Sequence, residues 1–209
     1  MAVKFDLIIR NAQILDGSGE PAIGADIAIH AGKIAAIGSL ATENSLATLD
    51  AQGLILAPGF IDVHTHDDLQ VIRAPEMLPK ISQGITTVIV GNCGISASPV
   101  SLNSNLPDPM NLLGTVDDFK FADFASYKAA VNKTQPAVNV AALIGHTALR
   151  NNHMDKLDRT ANADEIELMR VQLRESLKEG ALGLSSALSY SSSFSRTAKE
   201  LKILGAVLT

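Results

Sequence analysis

From residue 5 to residue 15 apolar side chains come in short β-prone runs, and Asp16-Gly17-Ser18-Gly19-Glu20-Pro21 gathers turn-forming residues behind them. This spacing predicts a strand followed by a turn. Two further runs, 25–29 and 33–38, are joined by His30-Ala31-Gly32 and predict a hairpin; residues 47–56 predict another strand or two with a bend at Gly53. Residues 1–57 are therefore expected to form a small antiparallel β unit.

After Ala57-Pro58 the pattern changes. A short apolar run at 59–64 leads into a stretch of helical character at 69–83, broken by Pro75 and Pro79, and then into a β-branched run at 85–90. A long Gly/Asn/Ser/Pro stretch over 91–114 exceeds an ordinary connection and suggests a functional or covering segment. Beyond it the pattern predicts a helix at 121–133 and a buried strand at 138–144. In the next helix, 163–179, Ile166, Met169, Leu173 and Leu177 share one face and Gly180 ends it. A strand at 181–188 and a helix at 198–208, N-capped by Thr197, complete four β/α units. Such an alternation implies a parallel sheet, either open and doubly wound or closed into a barrel, and the pattern leaves both open. For a barrel, four units are half of the eight required, so residues 58–209 would be its first half.

Composition excludes several classes of function. Lys and Arg number 17 against 22 Asp and Glu, a formal charge of −5, which argues against binding to nucleic acid or an anionic membrane. Apolar residues at 46% and charged residues at 19% are ordinary for a chain that buries a core. Lys4, Asp6 and Arg10 interrupt any signal-like apolar stretch, and no uncharged run is apolar enough to span a membrane. Cys93 is the only cysteine, so no disulfide can form within the chain and a cytoplasmic location is expected.

The strongest chemical signal is His64-Thr65-His66 at the end of the first parallel strand. Residues i and i+2 project to one side and can present two imidazoles to one ion. Cys93 follows the second strand in Val90-Gly91-Asn92-Cys93-Gly94 and falls at the same rim, where a metal would hold it as a thiolate. His146 ends the third strand, and both a ligand role and a structural hydrogen bond stay open for it. His30, in a hairpin turn, and His153, in a polar loop, are expected to be solvated. Gly183-Leu184-Ser185-Ser186-Ala187 only loosely echoes a nucleophile elbow, because the second glycine is missing and no helix starts directly after the serine. Gly91-Asn92-Cys93-Gly94 lacks the Lys and Ser/Thr of a phosphate-binding loop.

Ala57-Pro58-Gly59-Phe60-Ile61-Asp62-Val63-His64-Thr65-His66-Asp67-Asp68, behind a β unit carrying Asp16-Gly17, resembles the opening of amidohydrolase-superfamily enzymes. Val90-Gly91-Asn92-Cys93-Gly94-Ile95-Ser96, Ile144-Gly145-His146-Thr147-Ala148-Leu149-Arg150 and Gly180-Ala181-Leu182-Gly183-Leu184-Ser185 narrow the resemblance to the N-acyl-D-amino-acid deacylases, or D-aminoacylases. It covers nearly the whole chain. The resemblance implies a zinc-binding (β/α)8 TIM barrel, of which the first four units are present, with a small β-sandwich built from both chain ends. It implies that His64 and His66 are ligands of a more weakly occupied metal position and that Cys93 is the bridging or tight-site ligand. It places Tyr190 against the acyl or side-chain pocket, where Ser189 replaces a preceding aromatic of some members.

The implied reaction is hydrolysis of an N-acyl-D-amino acid, a small-molecule substrate, to a carboxylate and a free D-amino acid. The general-base aspartate and two further histidine ligands are expected beyond Thr209. On that expectation the 209 residues alone are weakly active or inactive, and exposed strand edges favour aggregation or pairing with a missing C-terminal half. Two rivals stand beside this reading: a dihydropyrimidinase-like cyclic amide hydrolase, and a non-catalytic remnant that keeps the fold's first half.

Overall fold

A computed structural model describes residues 5–102, 106–187, 189–190 and 194–208. The chain divides into two compact units, Met1–Gly59 and Phe60–Thr209.

In the first unit β1 (Phe5–Ile14), β2 (Ile23–His30), β3 (Lys33–Gly38), β4 (Ser45–Asp50) and β5 (Ile55–Leu56) form one five-stranded sheet. Strand β2 pairs antiparallel with both β1 and β3, as the hairpin signal predicts. The expected all-antiparallel unit is corrected at its other edge, where β4 and β5 both run parallel to β1. Residues 39–44 carry the chain from the β3 edge to the β1 edge and return it in the direction of β1; hydrophobic spacing carries no information about strand direction. Asn11, at φ +55°, interrupts the β1/β2 register, and the Asp26 carboxylate accepts its backbone N–H at 2.9 Å. Ala12, Ile14 and Ile27 make a small core on this sheet.

The second unit is built on β6 (Phe60–Asp62), β7 (Ile85–Val90), β8 (Asn139–Gly145) and β9 (Gly183–Ser185), all parallel and adjacent in chain order. The order advances in one direction without reversal, which is how a barrel progresses and a doubly wound sheet does not. The expected helical stretch is divided at Pro75 into α1 (Gln70–Arg73) and α2 (Leu78–Ile81), whereas the break expected at Pro79 is corrected: Pro79 sits in the first turn of α2, where its missing N–H has no helical partner to lose. The helix α3 (Phe124–Thr134) begins where Asp123 accepts the Ser126 N–H. A helix that the polar sequence hides, α4 (His146–His153), follows β8 directly. In α5 (Ala163–Glu179) Asn162 and Glu165 form a reciprocal cap, and Gly180 at φ +111° ends the helix. The last helix, α6 (Ala198–Gly205), is capped by Thr197 as expected.

Val88 and Val90 of β7 and Ala142 and Ile144 of β8 alternate onto the helical side, where they meet Phe124, Tyr127, Val131, Met169 and Leu173 in one continuous core. The strand expected over 181–188 is shorter, spanning only β9, and Leu188 lies outside the described residues. Among the described residues no helix is long and apolar enough to cross a membrane.

Candidate metal centre

His64 and His66 lie just past the carboxyl end of β6, and Cys93 lies past the end of the neighbouring β7. Parallel pairing sets Asp62 beside Val88, so both strands deliver their following residues to one edge of the sheet. One ligand atom from each of His64, His66 and Cys93 lies within 4.8 Å of the others. His64 Nε2 is 3.0 Å from Cys93 Sγ, and the two imidazoles meet edge-on at 5.9 Å between centroids. His64 is exposed, whereas His66 and Cys93 are half-buried.

The donor set fits a zinc-type ion on two grounds. Two imidazoles and one thiol are the N and S donors that such an ion prefers. The Nδ1 of His66 is also buried with no hydrogen-bond partner, which is costly for a ring nitrogen unless an ion takes it. Burial, reinforced by the neighbouring His64, pushes the His66 imidazolium pKa below its ordinary value, which favours the neutral ring whose lone pair an ion can take.

The segment carrying the histidines is clamped from below. Lys80 reaches Asp62 Oδ2 at 2.7 Å, Asp67 Oδ2 at 2.9 Å and Thr65 Oγ1 at 3.1 Å. Hydrogen bonding from Lys80 holds the Asp62 carboxyl low. Asp68 is buried and accepts the N–H groups of Gly91 at 3.2 Å and Ala97 at 3.1 Å, while Tyr127 donates to its carbonyl at 2.8 Å. Burial pushes the Asp68 carboxyl up to about 6, against the pull of those two amides. Asn92 folds back on its own strand by donating to Ile89 O at 2.7 Å, and the same amide lies 3.5 Å from the carbonyls of Val63 and Thr65 in the segment after β6.

The turn that carries Cys93 is tight. Gly91, Cys93 and Gly94 all have positive φ, at +76°, +54° and +74°. A Cβ on Gly91 would fall 2.0 Å from the carbonyl oxygen of Leu143, so β8 passes where any side chain would stand. Ser185, at the end of β9, accepts the Gly94 N–H at 2.9 Å and donates to Gly91 O.

His146 stands apart from the three donors. It is fully buried, with Nε2 2.7 Å from Glu200 Oε1 and Nδ1 3.3 Å from Ser186 Oγ. Arg150 donates to both oxygens of the same carboxylate, at 2.7 and 2.8 Å, and to the carbonyls of Leu157 and Arg159. Both ring nitrogens of His146 thus face structural partners. Of the histidines expected to be solvated, His30 is exposed beside Asp6, whereas His153 is half-buried and bonded to Gln172 at 2.9 Å. Tyr190 lies half-buried in the bend after β9.

Sequence reasoning missed Asp68, Ser185 and Glu200. Asp68 has a signal, since it closes the His-x-His-Asp-Asp run, and Ser185 stands both in the nucleophile-like run and in a run that carries the family resemblance, neither of which points to a backbone-holding role. Glu200 had none, because its partners lie 50 and 54 residues away.

An all-parallel sheet that gathers two imidazoles and a thiol beyond its carboxyl edge is the arrangement of a metal-binding α/β protein. Residues 47–206 match the amidohydrolase family, and the chain belongs to it. The chain is 48% identical over 185 residues to an N-acyl-D-aspartate deacylase of Alcaligenes xylosoxydans xylosoxydans, covering 88% of this chain and 37% of that protein. A crystal structure of D-aminoacylase superposes with a TM-score of 0.94 at 39% identity, covering 98% of this chain and 43% of that one. An N-acyl-D-glutamate deacylase from Bordetella bronchiseptica, crystallised with zinc and a phosphonate inhibitor, matches at a TM-score of 0.92 and 42% identity, with the same coverage. The chain therefore spans about two fifths of the length of the relatives it matches.

Proposed function

We propose that this protein is a zinc-dependent deacylase that hydrolyses the amide bond of N-acyl-D-amino acids to a carboxylate and a free D-amino acid. The observation that carries this reading is the convergence of His64, His66 and Cys93 on one point at the carboxyl edge of the parallel sheet. Similarity to the deacylases supports the substrate class. On this reading residues 60–209 supply four units of a (β/α)8 barrel, the N-terminal sheet is one part of a β-sandwich, and the enzyme works on small molecules in the cytoplasm.

His64 and His66 would hold the ion through neutral imidazoles, and Cys93 through its thiolate. When bound, the ion supplies Lewis-acid polarisation of the amide carbonyl and activation of the attacking water. Lys80, by gripping Asp62 and Asp67 on either side of the histidines, keeps the two imidazoles aimed together. Tyr190 is assigned to the substrate side-chain or acyl pocket. Proton transfer to the leaving amine is assigned, by resemblance, to an aspartate outside these residues.

The test is turnover by the zinc-loaded protein expressed from its full reading frame. Release of D-amino acid from N-acetyl-D-aspartate, N-acetyl-D-glutamate or N-acetyl-D-methionine, with the L enantiomers and dihydrouracil untouched, is the expected result. Turnover of dihydrouracil instead would move the protein to the cyclic amide hydrolases. Zinc binding without any turnover would favour a non-catalytic remnant.

A further inference from the structure

Cys93 is a non-glycine residue at φ +54° in a turn where both flanking glycines are also left-handed. Such a conformation is unfavourable for a side-chain-bearing residue and persists only where the surroundings hold it. Two side chains from distant parts of the chain do so. The Asp68 carboxylate takes the Gly91 N–H. The Ser185 hydroxyl bridges the turn itself, donating to the carbonyl of Gly91 and accepting the N–H of Gly94 at 2.9 Å, so that one oxygen atom ties the residues on both sides of Cys93. Ser185 pairs with Gly145 across the β8/β9 ladder, which places that oxygen on a rigid strand rather than a loop.

We propose that Ser185 is a positioning residue for the metal thiolate. Its hydroxyl fixes Cys93 in the left-handed conformation that turns Sγ toward His64 and His66. The inference rests on the metal-centre reading given above. Without the hydroxyl, the Gly91 carbonyl and the Gly94 N–H lose their shared partner, and the turn can relax to a geometry that withdraws the sulfur. The serine thus acts in the site through backbone atoms rather than as a nucleophile.

The test is titration of the metal-free protein, purified from expression of its full reading frame, with Co2+, following the thiolate-to-cobalt charge-transfer band, in wild type and in Ser185→Ala, Ser185→Val and Ser185→Thr. Thr and Val match in shape and differ by the hydroxyl, so any steric effect is common to both. The expected result is that Ala and Val weaken cobalt binding by about 10–100-fold and diminish the thiolate band, while Thr retains both. The unfolding midpoint of the metal-free protein is measured in parallel. Equal cobalt affinity and band intensity in all four proteins would overturn the role of Ser185 and leave the metal centre standing. Unfolding of both Ala and Val variants while Thr folds would overturn it too, because the hydroxyl would then support the whole fold rather than one ligand. Cobalt bound by wild type with no thiolate band, or not bound at all, would instead defeat the metal-centre reading, and the inference with it.

Discussion

His64 Nε2 and Cys93 Sγ lie 3.0 Å apart although 29 residues separate them in the chain. The parallel pairing of β6 with β7 creates this proximity, and neither loop could impose it alone. Because His66 adds its donor within 4.8 Å, the three atoms are placed to act together on one ion, as the proposed metal centre requires. On the proposed metal-centre reading, Cys93→Ser exchanges a soft sulfur donor for a hard hydroxyl. Cys93→Ser is expected to weaken zinc binding by more than the roughly 10–100-fold typical of losing an outer-sphere contact, as measured by competition with a chromophoric chelator. Unchanged affinity would remove Cys93 from the ligand set.

Gly91 is required by space as well as by φ. Gly91→Ala would place a Cβ 2.0 Å from Leu143 O, on backbone that cannot move aside without breaking the β7/β8 pairing. The expected loss is more than about 3 kcal/mol in urea unfolding. Gly17→Ala is the matched control: its φ is +86° but nothing lies within 4 Å, so only the backbone cost of about 1–2 kcal/mol applies. Similar losses in the two variants would show that crowding at Gly91 is unimportant.

Arg150 and Glu200 are both fully buried, joined by two charge-assisted hydrogen bonds. Truncating Glu200 leaves a guanidinium without its carboxylate in a site water does not reach. Glu200→Ala should therefore cost about 3–5 kcal/mol in denaturant unfolding. Because His146 and Glu200 lie outside the three-donor cluster, metal affinity measured on the folded fraction should stay at the wild-type value.

The same carboxylate sets a pH dependence. Burial drives Glu200 upward, but hydrogen bonds from His146 and Arg150 outweigh it and hold the group below its ordinary value of 4.5. The native state therefore binds fewer protons than the unfolded chain in the interval between the two pKa values. The stabilisation is present above 4.5 and is lost as the pH falls through the lower native value. Unfolding free energies taken between about pH 5 and pH 3 should decline more steeply in wild type than in Glu200→Gln. Parallel slopes would assign the acid sensitivity to other carboxylates.

What the sequence determined by itself is local. The bounds of α5, its Gly180 stop, the break at Pro75 and the Thr197 cap follow from spacing and from the conformational limits of single residues. The pairing of His64 with His66 was equally legible, since i and i+2 share a side of an extended chain whatever surrounds it. The choice between a sheet that reverses and one that advances was not legible, and neither was the parallel course of β4 and β5 along β1. Direction and neighbour order are properties of pairs of strands, and no single strand encodes them. The buried links from His146 and Arg150 to Glu200, and from Ser185 to the turn around Cys93, belong to the same class. Such contacts gain their strength from burial, and burial is decided only when segments 50 to 90 residues apart pack together.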